Sequence, residues 1–136
     1  IASDHAGFKL KEDIKNFLID KNISIFDLGP ANENSVDYPD FAKKVARRVK
    51  ANTSDIGILV CGSGIGMAIS ANKTIGIRAA VCYNLQSTRL SRLHNNANII
   101  SLGSRLTKKN NAFKLVSVFL KTKFEGGRHL KRIKKI

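Results

Sequence analysis

The sequence predicts an α/β fold: a single-domain, doubly wound (Rossmann-like) three-layer α/β/α sandwich around a mostly parallel five-stranded sheet. Three observations predict it. Short apolar runs alternate with amphipathic stretches along the whole chain, the pattern of repeated βαβ units. One of those runs, Ile56–Val60, is apolar without interruption, as in a strand buried on both faces of a parallel sheet. The chain has 136 residues, 43% of them hydrophobic, which is enough for one packed core and short for two. Internal repeats and low-complexity tracts are absent.

The elements follow in order. Ile1–Ser3 reads as the tail of a first strand whose beginning lies before residue 1. Leu10, Ile14, Phe17 and Leu18 fall at helical spacing and predict a helix from about Phe8 to Lys21. Ser24–Leu28 reads as a strand ended by the Gly29-Pro30 turn. Phe41, Val45 and Val49 line a second helix, with Lys43, Lys44, Arg47, Arg48 and Lys50 toward water. Ile56–Val60 enters a glycine-rich turn, Cys61-Gly62-Ser63-Gly64-Ile65-Gly66, and a helix through about Ala71. A strand at Ile77–Cys82, a helix over about Leu85–Leu93, a strand at Asn98–Leu102 and a helix over Asn110–Lys121 complete the alternation, and a basic tail of about residues 122–136 closes it.

Composition excludes several classes. No apolar run approaches the length of about 18–20 residues that a membrane helix needs, and no charged-then-apolar signal segment opens the chain, so a soluble cytoplasmic protein is expected. Cys61 and Cys82 are too few for a disulfide framework, and with His5, His94 and His129 they show no metal-ligand spacing. The charge is one-sided: 24 Lys+Arg against 10 Asp+Glu, formally +14. A surplus of that size suits an acidic partner such as a phosphorylated metabolite or nucleic acid, but the lysines are dispersed along helix faces, as on a solvated surface. Nucleic-acid binding also calls for aromatic residues among the basic ones, and the tail offers only Phe124. Between Asp55 and Glu125 there is no carboxylate at all.

Doubly wound sheets bind ligands at the carboxyl ends of their strands. Unusual residues fall there: Asp4-His5 after the first strand, the Cys61–Gly66 turn after the third, Gly103-Ser104-Arg105 after the fifth. Gly62, Gly64 and Gly66 leave N–H groups uncovered at a helix N-terminus, which favours an anion. The turn lacks the ending of a nucleotide P-loop, and its G-x-G-x-G spacing with no later acidic residue is a poor dinucleotide site. Cys61 sits just before that helix, a setting that favours a thiolate usable as a base, although a buried cysteine also serves as a small hydrophobe. His94, in Arg92-Leu93-His94-Asn95, fits either a helix C-cap or an acid/base group. Arg128 and Arg132 are four apart, so on a helix they would share a face and could grip one phosphate.

These fragments come together in one resemblance. Ser3-Asp4-His5-Ala6-Gly7, Asp37-Tyr38-Pro39, Cys61–Gly66, Ala71-Asn72-Lys73, Gly76–Ala79, His94-Asn95, Leu102–Arg105 and Glu125–His129 together resemble the type B ribose-5-phosphate isomerases, a family that also includes galactose-6-phosphate isomerase subunits. The resemblance runs in order along nearly the whole chain. It implies a cofactor- and metal-free aldose–ketose isomerase of the pentose phosphate pathway, interconverting D-ribose 5-phosphate and D-ribulose 5-phosphate through a cis-enediolate. An isomerase of a six-carbon sugar phosphate is the nearest alternative.

By the same resemblance, Cys61 is the proton acceptor, and Ser63 with the N–H groups of Gly62, Gly64, Ile65 and Gly66 forms the oxyanion cradle. His94 opens the furanose ring beside Asn95. Asp4 and Tyr38 lie at the sugar, and His5, Arg105, Arg128 and Arg132 clamp the phosphate. The implied assembly is a homodimer with shared active sites, alone or paired into a tetramer. One branch of the family carries a glutamate base just after the third glycine; this sequence has Met67 there, and Ser63 stands where many members have threonine.

Overall fold

β2 (Gly57–Cys61) forms the spine of the sheet because its sequence allows nothing else: all five residues are buried. It pairs in parallel with β1 (Ala2–Ser3) on one side and with β4 (Ile99–Gly103) on the other, and β3 (Ala79–Val81) pairs in parallel with β4. The computed structural model describes residues 1–136, with strand order β1-β2-β4-β3.

Six helices complete the chain: α1 (Phe8–Ile19), α2 (Tyr38–Ala51), α3 (Ile65–Asn72), α4 (Leu85–Asn95), α5 (Lys109–Lys121) and α6 (Arg128–Ile133). The period-2 alternation of the strands divides the core in two. Ile58, Val60, Ile100 and Leu102 join Ile14, Leu18, Leu115 and Phe119 on the α1/α5 face. Leu59, Cys61 and Ile99 join Val45, Val49, Met67 and Ala71 on the α2/α3 face. The expected three layers are therefore present. Burial of each such side chain contributes about 1.5–3 kcal/mol, which outweighs the weak pairing of a two-residue strand such as β1.

The expected fifth strand does not form. Residues 24–28 run beside β1, where the Ile1 amino group donates to the Phe26 carbonyl at 2.8 Å and the Leu28 N–H donates to the Ile1 carbonyl at 2.9 Å. A parallel ladder would next join Ser3 to Leu28, but the Ser3 N–H reaches Gly29 instead, at 3.0 Å. Gly29, at φ +100°, shifts the register by one and ends the pairing. The sheet has four strands, with this segment as an irregular border.

A buried ammonium holds that border in place. Lys11, 1% exposed, donates to both Asp27 carboxylate oxygens and to the Pro30 carbonyl, each at 2.9 Å. Burial pushes the Asp27 carboxyl up, but hydrogen bonds from Lys11, Lys15 and the Gly29 N–H more than reverse this and hold it at about 2. The other expected elements lie within a few residues of expectation, and the basic tail adds a short helix, α6, that the alternation does not include. The strand expected at Ile77–Cys82 is shortened because the Asn98 side chain takes the Arg78 N–H at 2.8 Å, displacing ladder bonds. No helix is long and apolar enough to cross a membrane.

Between β1 and β2 the chain changes face, since α1 packs on one side of the sheet and α2 on the other. Ligand crevices open at such switch points. Asp4 and Cys61 lie at the two strand ends that border it.

Candidate active site

A cleft of about 310 Å³ opens there, lined by Asp4, His5, Tyr38, Cys61, Gly62, Ser63, Gly66 and Arg105 together with Ala6 and Leu106. Eight residues singled out in the sequence thus converge on one concavity, brought from the ends of β1, β2 and β4 and the start of α2.

Cys61 forms the floor, 4% exposed. It is the last residue of β2, and its side chain faces α3 because odd positions of that strand face the α2/α3 layer. The Gly64 N–H donates to its Sγ at 3.1 Å, the solvation an anionic sulfur needs. Gly64 is the N-cap of α3 at φ +81°, and a Cβ there would stand 2.9 Å from the Leu102 carbonyl carbon. Only glycine holds this corner without strain, so the glycine spacing sets the direction of the N–H. The first N–H groups of α3 have no intrahelical acceptor and face the same end. The Ser63 hydroxyl accepts from the Ile65 N–H at 3.3 Å. Gly64 and Ile65 shape the turn without lining the cleft wall.

The walls are held as firmly. Asp4, 8% exposed, accepts the Gly7 N–H at 2.8 Å, so part of its carboxylate serves the start of α1 while the residue lines the cleft. His5 accepts the Val36 N–H at Nδ1 (3.3 Å), which leaves Nε2 as the hydrogen-bearing nitrogen of the neutral ring. The Tyr38 ring lies over Gly66, where a Cβ would come within 2.9 Å of it. The Arg105 guanidinium lies over Gly62, 3.3 Å from where a Cβ would stand.

Four predicted residues lie elsewhere. His94, Asn95, Arg128 and Arg132 do not line the cleft; they gather where α4 meets α6. The His94 and His129 rings stack with centroids 4.3 Å apart and planes 9° apart. The Nε2 atoms of both lie 3.9 Å from Glu125 Oε2. Burial lowers the pKa of His129, assisted by the charges of His94, Arg128 and Arg132 and opposed by Glu125. Capping at the end of α4 falls to Asn96, which adopts the left-handed conformation at φ 44°, so His94 is free of that task. Arg78 Nε donates to the Asn95 and Asn96 carbonyls at 3.0 Å and secures this turn.

His94, Glu125 and His129 bring their ligand atoms within 4.8 Å of one another. Their near-parallel rings direct in-plane lone pairs along separate planes, so the trio is not arranged as a chelate. Glu125 and His129 are 31 and 35 residues from His94, and no spacing rule pairs them. Tyr83, whose hydroxyl donates to the Ser63 carbonyl at 3.1 Å, carries no motif signal either.

A larger apolar cavity of about 410 Å³ lies at the opposite strand ends, lined by Leu18, Ile23, Phe26, Val49 and Ile56 among others. Its charged members, Arg48 and Asp55, are already paired at 2.9 Å, and it holds neither cysteine nor histidine.

Comparison with known proteins agrees with the geometry. A family model described as Ribose/Galactose Isomerase matches residues 1–136. Ribose-5-phosphate isomerase B of Escherichia coli (strain K12) is 41% identical over 133 residues, covering 98% of this chain and 89% of that protein. A ribose 5-phosphate isomerase structure from Thermotoga maritima is similar with a TM-score of 0.96 at 54% identity, covering 98% of this chain and 92% of that one. The ribose-5-phosphate isomerase B structure from Mycoplasma genitalium, with bound ribulose-5-phosphate, gives a TM-score of 0.95 at 46% identity, covering 98% and 90%.

Proposed function

The chain belongs to the ribose/galactose isomerase family, and we propose that its cleft is one half of a sugar-phosphate site completed by a second copy of the chain. The protein is a ribose-5-phosphate isomerase: it interconverts D-ribose 5-phosphate and D-ribulose 5-phosphate. The observation that carries the chemistry is Cys61 Sγ on the cleft floor with the Gly64 N–H aimed at it.

The steps follow from what the residues can do. The furanose form opens when an acid/base group takes the proton of the anomeric hydroxyl and returns one to the ring oxygen. His94 of the second copy is suited to that task, beside Asn95. The Cys61 thiolate then removes the proton at C2. The C2–H electron pair forms the C1=C2 bond, and the charge moves onto O1 as a cis-enediolate. With the Gly64 and Ile65 N–H groups taken by Cys61 Sγ and Ser63 Oγ, the N–H of Gly66 and the hydroxyl of Ser63, both lining the cleft, are the donors suited to meet that charge. The O2 proton passes to O1, the electrons on O2 re-form a carbonyl at C2, and the thiol returns its proton to C1. Atoms and electrons balance within the substrate, so no oxidant or reductant is needed.

The phosphate end requires fixed positive charge. Arg105 supplies it within the cleft, the Nε2–H of His5 adds a neutral hydrogen-bond donor, and Arg128 and Arg132 of the second copy supply the rest of the charge. Support for a shared site is the split itself: one chain places the sulfur half in the cleft and leaves His94, Asn95, Arg128 and Arg132 outside it. Two copies related by a twofold axis would complete two sites at once. The metabolic setting of such a reaction is the cytoplasmic pentose phosphate pathway.

The test is a coupled assay of the purified protein on ribose 5-phosphate, allose 6-phosphate and galactose 6-phosphate. Ribose 5-phosphate should be turned over with the highest kcat/KM, by about 10-fold or more, since an added carbon must fit a cleft bounded by the Tyr38 ring. Turnover confined to a six-carbon substrate would overturn the assignment of the sugar.

A further inference from the structure

Two hydrogen bonds fall on one peptide unit. The Ser63–Gly64 peptide carries the N–H that donates to Cys61 Sγ at 3.1 Å, and its carbonyl oxygen accepts the Tyr83 hydroxyl, also at 3.1 Å. We propose that Tyr83 is a positioning residue for the reaction: through the Ser63 carbonyl it orients and polarises the peptide whose N–H holds the Cys61 sulfur.

The physical basis is cooperative hydrogen bonding. A donor on an amide oxygen draws electron density toward that oxygen and makes the amide N–H a better donor, by about 10–30% per bond. The bond also resists rotation of the peptide, which would swing the N–H off the sulfur. The oxygen has few other ways to be satisfied. It lies against Gly103, where a Cβ would come within 2.6 Å of it. The neighbouring bonds serve other atoms: Ser101 Oγ donates to the Gly64 carbonyl, the Ser104 N–H to the Cys61 carbonyl and the Arg105 N–H to the Gly62 carbonyl.

The charged and titratable groups around the sulfur do not reach this peptide. Asp4 and His5 come from the end of β1, Tyr38 from the start of α2 and Arg105 from the end of β4. Asp4 is committed to the Gly7 N–H and His5 to the Val36 N–H. Tyr83 follows β3 by two residues and precedes Asn84, the N-cap of α4, whose side chain accepts the Ser87 N–H at 2.8 Å. The tyrosine thus ties the reactive turn to the rigid start of α4, the helix that carries His94 at its other end.

The inference rests on the reading of Cys61 as the base, and the experiment separates the two. The rate of alkylation of Cys61 by iodoacetamide is measured in the full chain as a function of pH, alongside kcat and KM for ribose 5-phosphate. Tyr83→Phe, which removes only the hydroxyl, should slow alkylation at pH 7 by about 2- to 5-fold, with a much smaller loss at pH 10, where the alkaline medium itself favours the thiolate. It should lower kcat by a similar factor with KM within about 2-fold. Asn84→Ala, which removes the α4 cap and spares the hydroxyl, should lower thermal stability and leave the pH 7 alkylation rate unchanged. An unchanged pH 7 rate in Tyr83→Phe overturns the inference, as does an equal loss at both pH values. Failure of the Cys61 reading would show differently: alkylation would respond to Tyr83→Phe while kcat did not.

Discussion

The two cysteines sit near the ends of different strands and are nearly equally buried, at 4% for Cys61 and 0% for Cys82, yet their surroundings differ in kind. Cys61 faces the α2/α3 layer, where the sulfur accepts an N–H from the start of a helix. Cys82 faces the α1/α5 layer, where the sulfur donates to the Ala80 carbonyl at 3.6 Å. Burial pushes the Cys82 thiol up, only partly offset by the Thr88 and Ser91 hydroxyls. Equal burial therefore does not make the two sites alike. The Cys61 sulfur receives a backbone N–H at a helix start and the Cys82 sulfur faces a strand carbonyl, and that difference follows from which face of the sheet the residue occupies and whether a helix begins beside it.

The largest effect that would sharpen this contrast is Cys61→Ala. Loss of the proposed base should reduce isomerisation by at least about 10²- to 10⁴-fold while thermal unfolding stays near that of the parent. Near-normal turnover would break the contrast at once. The next tests the completion of the sulfur half by a second copy. Cys61→Ala and His94→Asn variants, each inactive, should regain about one quarter of the parent activity when unfolded and refolded together, by statistical pairing; recovery of nothing would show that each site is built from one chain. The smallest effect belongs to Cys82→Ala. It should leave kcat within about 2-fold and cost about 1 kcal/mol of stability, the usual result of emptying a little core volume. A large loss of activity there would mean that the two sulfurs are not divided as described.

Much of this was legible in the residues. An uninterrupted apolar run marked Ile56–Val60 as a central strand because burial on both faces tolerates nothing polar, and the glycine spacing after Cys61 marked a corner where N–H groups are exposed. Residues 24–28 misled because a short, largely apolar run ended by the Gly29-Pro30 turn reads as a strand, whereas pairing depends on register. The one-residue shift at Gly29 is a property of the backbone beside β1. The His94–Glu125–His129 cluster was illegible for another reason: it depends on α4 and α6 meeting, a tertiary contact that no local period encodes. Tyr83 is the clearest case. A tyrosine after a strand carries no signal until the carbonyl it bonds is known to share a peptide with the N–H on the sulfur.

The most direct measurement is the site of alkylation set against residual activity. Iodoacetamide at neutral pH should modify Cys61 before Cys82, activity should fall in step with the fraction of Cys61 modified, and ribose 5-phosphate should protect both. A chain fully alkylated at Cys61 that still isomerises ribose 5-phosphate, or one inactivated through Cys82 with Cys61 intact, would contradict the account.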